Sequence, residues 1–77
     1  MTDAQVLRDL GAIGIRCNLT TTGLAALVGT CFHTLRLVLA TGVMPTRGVV
    51  GARIRAFVAL NRGARCRVDL RVPPEGA

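Results

Sequence analysis

Residues 21–42 read TTGLAALVGTCFHTLRLVLATG, and this stretch limits the possible folds more than any other part of the chain. Leu24, Ala25 and Val28 recur at helical spacing, Gly29 interrupts them, and Leu35 and Val38 resume the pattern. The spacing predicts a helix, a three-residue turn and a second helix. Two helices that cross steeply over so short a turn need a small residue where their backbones come closest, and Ala25 supplies one. The turn also needs a residue that takes a positive φ without strain, and Gly29 supplies that. Leu24, Val28, Leu35 and Val38 would then fill the wedge between the helices. In a chain of 77 residues such a unit leaves little room for another active element.

The segment before it starts with Thr2-Asp3-Ala4-Gln5, which has the form of a capping box, with Thr2 as cap and Gln5 reaching back. Asp3 suits the positive end of the helix dipole. Val6, Leu7 and Leu10 share one helical face, so residues 3–12 are expected to form a short amphipathic helix that Gly11 and Gly14 end. It would pack across the wedge and close the core. In residues 13–19, Ile13, Ile15, Cys17 and Leu19 alternate with Gly14, Arg16 and Asn18, which is strand periodicity. No adjacent turn makes a hairpin there, and an extended loop tucked under the core is the expectation.

Thr20 or Thr21 is expected to cap the helix that runs to about Val28. The helix after the turn should begin near Cys31 and end near Thr41, with Gly42 as terminating glycine. Thr46 is the expected cap of a fourth helix, in which Val50, Ile54, Phe57 and Val58 form one apolar face. Gly48 and Gly51 weaken its first turn by up to ~1 kcal/mol each, and Asn61-Arg62-Gly63 ends it. From Arg65 to Val72 the period changes to two. Cys66, Val68, Leu70 and Val72 fall on one face, and Arg65, Arg67, Asp69 and Arg71 on the other. That pattern predicts a half-buried strand stopped by Pro73-Pro74. A lone strand leaves its backbone groups unpaired. Its partner is either residues 13–17 of the same chain or the same strand of a second copy; the second, a two-fold dimer, is favoured.

Ten basic residues, all arginine, face Asp3, Asp9, Asp69 and Glu75, for a net charge of +6. Such a balance favours polyanionic partners, nucleic acid first and anionic membrane second. Cys17, Cys31 and Cys66 stand far apart with no C-x-x-C, which argues against both a zinc site and a disulfide framework. Reduced and mostly buried cysteines, and an N-terminus that is acidic and helical rather than basic then apolar, suggest a cytoplasmic protein. Residues 17–35 carry no formal charge, but their threonines, Asn18 and His33 make them too polar for a spanning helix. No membrane partner is expected.

Leu24, Ala25, Val28, Gly29, Leu35 and Val38 together resemble the helix-turn-helix of the phage repressor and Cro type, over roughly residues 20–60. Gly42-Val43-Met44-Pro45 looks like the glycine-then-proline exit that follows the recognition helix of that family. The resemblance implies a mainly α, four-to-five-helix repressor-like domain over residues 1–63, with residues 64–77 as a strand and tail for dimerisation through Cys66, Val68, Leu70 and Val72. It also implies that the second helix enters the major groove of double-stranded DNA. Phe32, His33, Thr34, Arg36 and Leu37 would then face base edges, Arg36 as a bidentate reader of guanine. Thr21, Thr22, Arg16, Arg47 and Arg53 would contact phosphates.

Catalysis finds no support, because the carboxylates are dispersed, there is no serine, and no cysteine–histidine spacing suggests a nucleophile and its base. No cofactor, metal or small-molecule ligand is expected. The implied function is a small dimeric repressor, from a phage or mobile element, on an inverted-repeat operator. A protein-interaction module, such as an inhibitor of a host protein that uses the same fold, is the competing expectation, with Phe32 and Leu37 as its contact residues. Binding of structured RNA or a membrane surface through the arginines is a third.

Overall fold

The first helix is longer than its glycines predict. The computed structural model describes residues 2–72, and in it α1 (Asp3–Arg16) runs through both Gly11 and Gly14. Thr2 caps it, its hydroxyl accepting the Gln5 N–H at 3.2 Å. The helix continues because a longer stripe holds it. Val6, Leu10, Ile13 and Cys17 lie at i, i+4, i+7 and i+11, and all four are buried. Burial of Ile13 and Cys17 outweighs the ~1 kcal/mol that a mid-helix glycine costs. Residues 13–16 are therefore helix and not loop, and Ile15, which strand alternation would turn inward, is 83% exposed. Asn18 then reverses the chain with φ of 54°, a conformation asparagine tolerates better than most residues.

The next helix, α2 (Thr21–Val28), is capped by Thr20, whose hydroxyl accepts the Gly23 N–H at 3.0 Å. It is followed by α3 (Phe32–Thr41), which ends at Gly42 as expected. The fourth helix, α4 (Val50–Asn61), carries the expected apolar face, with Ile54, Phe57 and Val58 wholly enclosed. Thr46 does not cap it. Val49 occupies that position without a side-chain bond, because the chain first turns through Gly48.

In the assembled bundle α1 lies along α4, and α2 packs against both α3 and α4. The first helix thus closes the core mainly from the α4 side, touching α2 where Gly14 meets Leu24. Leu10, Ile13, Leu35, Ile54, Phe57 and Val58 make the centre. The radius of gyration, 11.1 Å, is close to the about 11.5 Å expected of a folded chain this long, so these few apolar side chains suffice to condense it.

The C-terminal strand is not formed. Among the described residues there is no strand at all, and a single 3₁₀ turn at Arg67–Asp69 occupies its place. The Asp69 carboxylate reaches back to accept the Arg65 N–H at 3.1 Å, a local bond that competes with an extended ladder. The alternation is lost with it. Leu70 packs on the core, whereas Cys66, Val68 and Val72 are exposed, Val68 at 90%. Pairing through these residues, either with 13–17 or with a second copy, therefore has no strand to rest on. Pro73-Pro74, the expected stop, lies outside the described residues.

The side chain of Asn61 takes the place of the missing strand partner. This residue is fully buried at the end of α4. Its Nδ2 donates to the Phe57 and Arg71 carbonyls at 2.8 Å each, and its Oδ1 accepts the Arg71 N–H at 2.7 Å. Arg71 exchanges both its backbone groups with one carboxamide, as a residue in an antiparallel ladder does with its neighbour.

Candidate nucleic-acid interface

Between α2 and α3 the chain bends by 107°, over the break at residues 29–31. This angle falls within the range of about 90–120° for helix-turn-helix units. Gly29 makes the bend with φ of 90°, and the N–H groups of Gly29 and Thr30 both donate to the Ala25 carbonyl, at 2.9 and 3.0 Å. Ala25, expected at the approach of the two helices, is buried, as are Leu24, Val28, Leu35 and Val38. The arrangement follows directly from the spacing of apolar residues around one glycine.

A brace that spacing does not announce holds the turn from outside. Arg53, on α4, donates from Nη1 to the Gly29 carbonyl at 2.6 Å. A Cβ on Gly29 would lie 2.7 Å from that same nitrogen. The arginine tip can swing away, but the left-handed backbone cannot be relieved. Gly29→Ala should therefore lower stability by about 1–2 kcal/mol, read as a fall in the urea midpoint at unchanged slope. An unchanged midpoint would mean that the turn is not held in this conformation.

On α3 the buried Leu35 and Val38 define an inner face. Opposite them His33, Arg36, Leu37 and Ala40 line a shallow, mostly apolar hollow open to solvent. Leu37 is 63% exposed and Phe32, beside the hollow, 37%. The Phe32 and His33 rings meet edge-on, with centroids 5.6 Å apart. Thr34 lies on the flank, half-buried, its hydroxyl 2.9 Å from Cys31 Sγ. That hydrogen bond stabilises the thiolate and holds the exposed Cys31 thiol below its ordinary pKa. Four of the five residues expected to face bases, Phe32, His33, Arg36 and Leu37, are thus exposed together, and Thr34 is turned aside and engaged.

The expected phosphate-binding residues divide. Thr22 and Arg47 are exposed, Arg47 in the loop after α3, and Thr21 is half-buried in the first turn of α2. Arg16 is tied to the Arg62 carbonyl at 3.2 Å, far along the chain but adjacent in space. Arg53 is occupied by the turn. A residue without a signal in the sequence joins this edge. Arg67 donates to the Asn18 carbonyl at 3.1 Å, which brings its guanidinium beside the segment that leads into α2. The unexpected 3₁₀ turn, with the Asn61–Arg71 bonds beyond it, places it there.

Charge is segregated as well. From Leu10 to Val68 the chain holds eight arginines and no carboxylate; α2 is uncharged, α3 carries Arg36 alone, and α4 carries Arg53 and Arg55. Asp3 is paired with Arg55 at 2.9 Å. Among the described residues no three of His, Cys, Asp and Glu gather as metal ligands. Nor is any single described helix long and apolar enough to cross a membrane, and α2 with α3, which reach that length together, are bent sharply apart. Comparison with family models, with characterised proteins and with solved structures returns no match.

Proposed function

We propose that this protein is a sequence-specific DNA-binding regulator of the repressor type, with α3 as the helix that enters the major groove. The observation that carries the reading is the α2–α3 unit. Its two helices meet at 107°, and the outer face of the second is exposed around Arg36. A helix presented in this way fits a major groove about 12 Å wide. The arginines that flank the unit, with no carboxylate between Leu10 and Val68, supply attraction to phosphates that is independent of sequence. From the resemblance come the finer parts of the proposal. These are a homodimer on an inverted repeat with half-sites about one helical turn apart, repression by occluding a promoter, and a cytoplasmic setting in a phage or mobile element. No catalytic role is proposed.

The test is a salt titration of binding to the promoter region of its own gene, against a scrambled duplex of equal length. Tight binding to the promoter alone, falling steeply with salt, is the expected result. Arg36→Ala should then cost roughly 1–3 kcal/mol on the specific site. Equal affinity of that variant would remove Arg36 as a reader. The exposure of Phe32 and Leu37 favours one other reading, a protein-interaction module that buries this face against a partner. Absence of DNA affinity at low salt would decide for it.

A further inference from the structure

We infer that the outer face of α3 selects duplex sites in which a guanine adjoins thymine, reading the guanine through hydrogen bonds and the thymine through its methyl group. The inference rests on the DNA-binding reading above and names the substrate class of the same face. It follows from what α3 presents and what it lacks. The sequence FHTLRLVLAT contains no asparagine, glutamine, lysine, serine or carboxylate. Adenine is read in the major groove by the paired donor and acceptor of an Asn or Gln amide, and the cytosine amino group by a carboxylate. Neither chemistry is available on this helix.

What remains is specific. Arg36 carries the planar fork that matches the two acceptors of guanine. Around it Leu37, Ala40 and the neighbouring Phe32 offer only carbon, which in a major groove matches the C5 methyl of thymine. His33, on the same hollow, adds one ring nitrogen pair that can reinforce a purine contact but lacks the paired amide that singles out adenine. Arg36 and Leu37 are consecutive, with Cα atoms about 3.8 Å apart, and both line the same hollow. Base pairs are stacked about 3.4 Å apart, and two side chains so placed reach the same or adjoining pairs. The occupant is identified as DNA, rather than an apolar protein surface, by charge. Arg36 sits within the hollow itself, and the whole region from Leu10 to Val68 is free of acidic residues.

The experiment starts with the full chain and a library of random duplexes, selected at moderate salt. Retained duplexes should converge on sites containing G next to T. The converged duplex is then remade with deoxyuridine for thymidine and, separately, with 7-deazaguanine for guanine. Loss of a methyl contact should weaken binding about fourfold, the worth of one buried methyl, and loss of the N7 acceptor about tenfold or more. Leu37→Ala, at an exposed position that the fold does not need, should reduce the deoxyuridine effect and leave the deazaguanine effect intact; a deoxyuridine effect unchanged in that variant would overturn the thymine half of the inference. Convergence on sites indifferent to both base analogues would overturn the inference. So would retention without convergence, which would leave DNA binding by charge alone. Failure to retain any duplex at low salt would instead remove the DNA-binding reading, and this inference with it.

Discussion

Gly51→Ala should destabilise the protein by about 2–3 kcal/mol, seen as a fall of roughly 10–20 °C in Tm for a domain of this size. Helix propensity alone predicts the opposite. Gly51 lies in the first turn of α4, where alanine is worth up to ~1 kcal/mol more than glycine. Packing reverses the sign. A Cβ at this position would lie 2.5 Å from the Pro45 carbonyl oxygen and 3.6 Å from Met44 Cγ. A backbone oxygen cannot rotate away as a side-chain tip can, so either the loop that follows α3 or the start of α4 must move. Met44 is buried in the core, and that movement would pull it from its contacts. Gly11→Ala is the control. Gly11 lies mid-helix in α1 with nothing within 4 Å of a Cβ, so propensity acts unopposed and stability should rise by about 0.5–1 kcal/mol. A stabilised Gly51→Ala would mean that α4 does not meet the loop as closely as described.

The contrast between these glycines shows where a sequence can be read and where it cannot. The helix-turn-helix unit was legible because its determinants are local. Gly29 and the apolar residues on either side lie within a few turns of one another, and the caps Thr2 and Thr20 act over three residues. The exposure of Phe32, His33, Arg36 and Leu37 follows from the same helical period, once Leu35 and Val38 are known to be inside. The failures share the opposite property. Gly14 looks like a terminator until Ile13 and Cys17 are seen to complete the stripe of Val6 and Leu10. Arg53 reads as a free cation, yet its guanidinium is held by a carbonyl 24 residues away. Arg67 is fixed by Asn18 over 49 residues. The strand failed for a further reason. Alternating hydrophobicity over residues 65–72 specifies a strand only where another strand is present to pair with it. Here the available partner for Arg71 is the side chain of Asn61, and a polar residue near a helix end reads more readily as a terminator than as a core position.

That partner provides the second large effect. Asn61→Ala should cost about 2–4 kcal/mol, from the loss of three hydrogen bonds at roughly 0.5–1.5 kcal/mol each and from the cavity left in an enclosed site. The freed Arg71 groups can find water, which limits the loss. The segment that carries them would no longer be held over the core, so Leu70 would be uncovered and the Arg67–Asn18 contact weakened. Hydrogen exchange should show this as loss of protection at the Arg71 amide under conditions where α1 and α4 stay protected. Asn61→Asp separates bonding from size, since it is nearly isosteric. At neutral pH it would place a carboxylate against the Phe57 and Arg71 carbonyls with only the Arg71 N–H to donate to it, and it should be less stable than the alanine variant. Burial raises the pKa of such a carboxyl in the folded state, so the native form binds a proton more readily than the unfolded chain. Stability should therefore recover as pH falls through that raised value, where the protonated acid can again donate to a carbonyl. A variant whose stability is independent of pH between 7 and roughly 4 would show that this side chain is open to water, and would remove Asn61 as the clamp that holds Arg67 beside the start of α2.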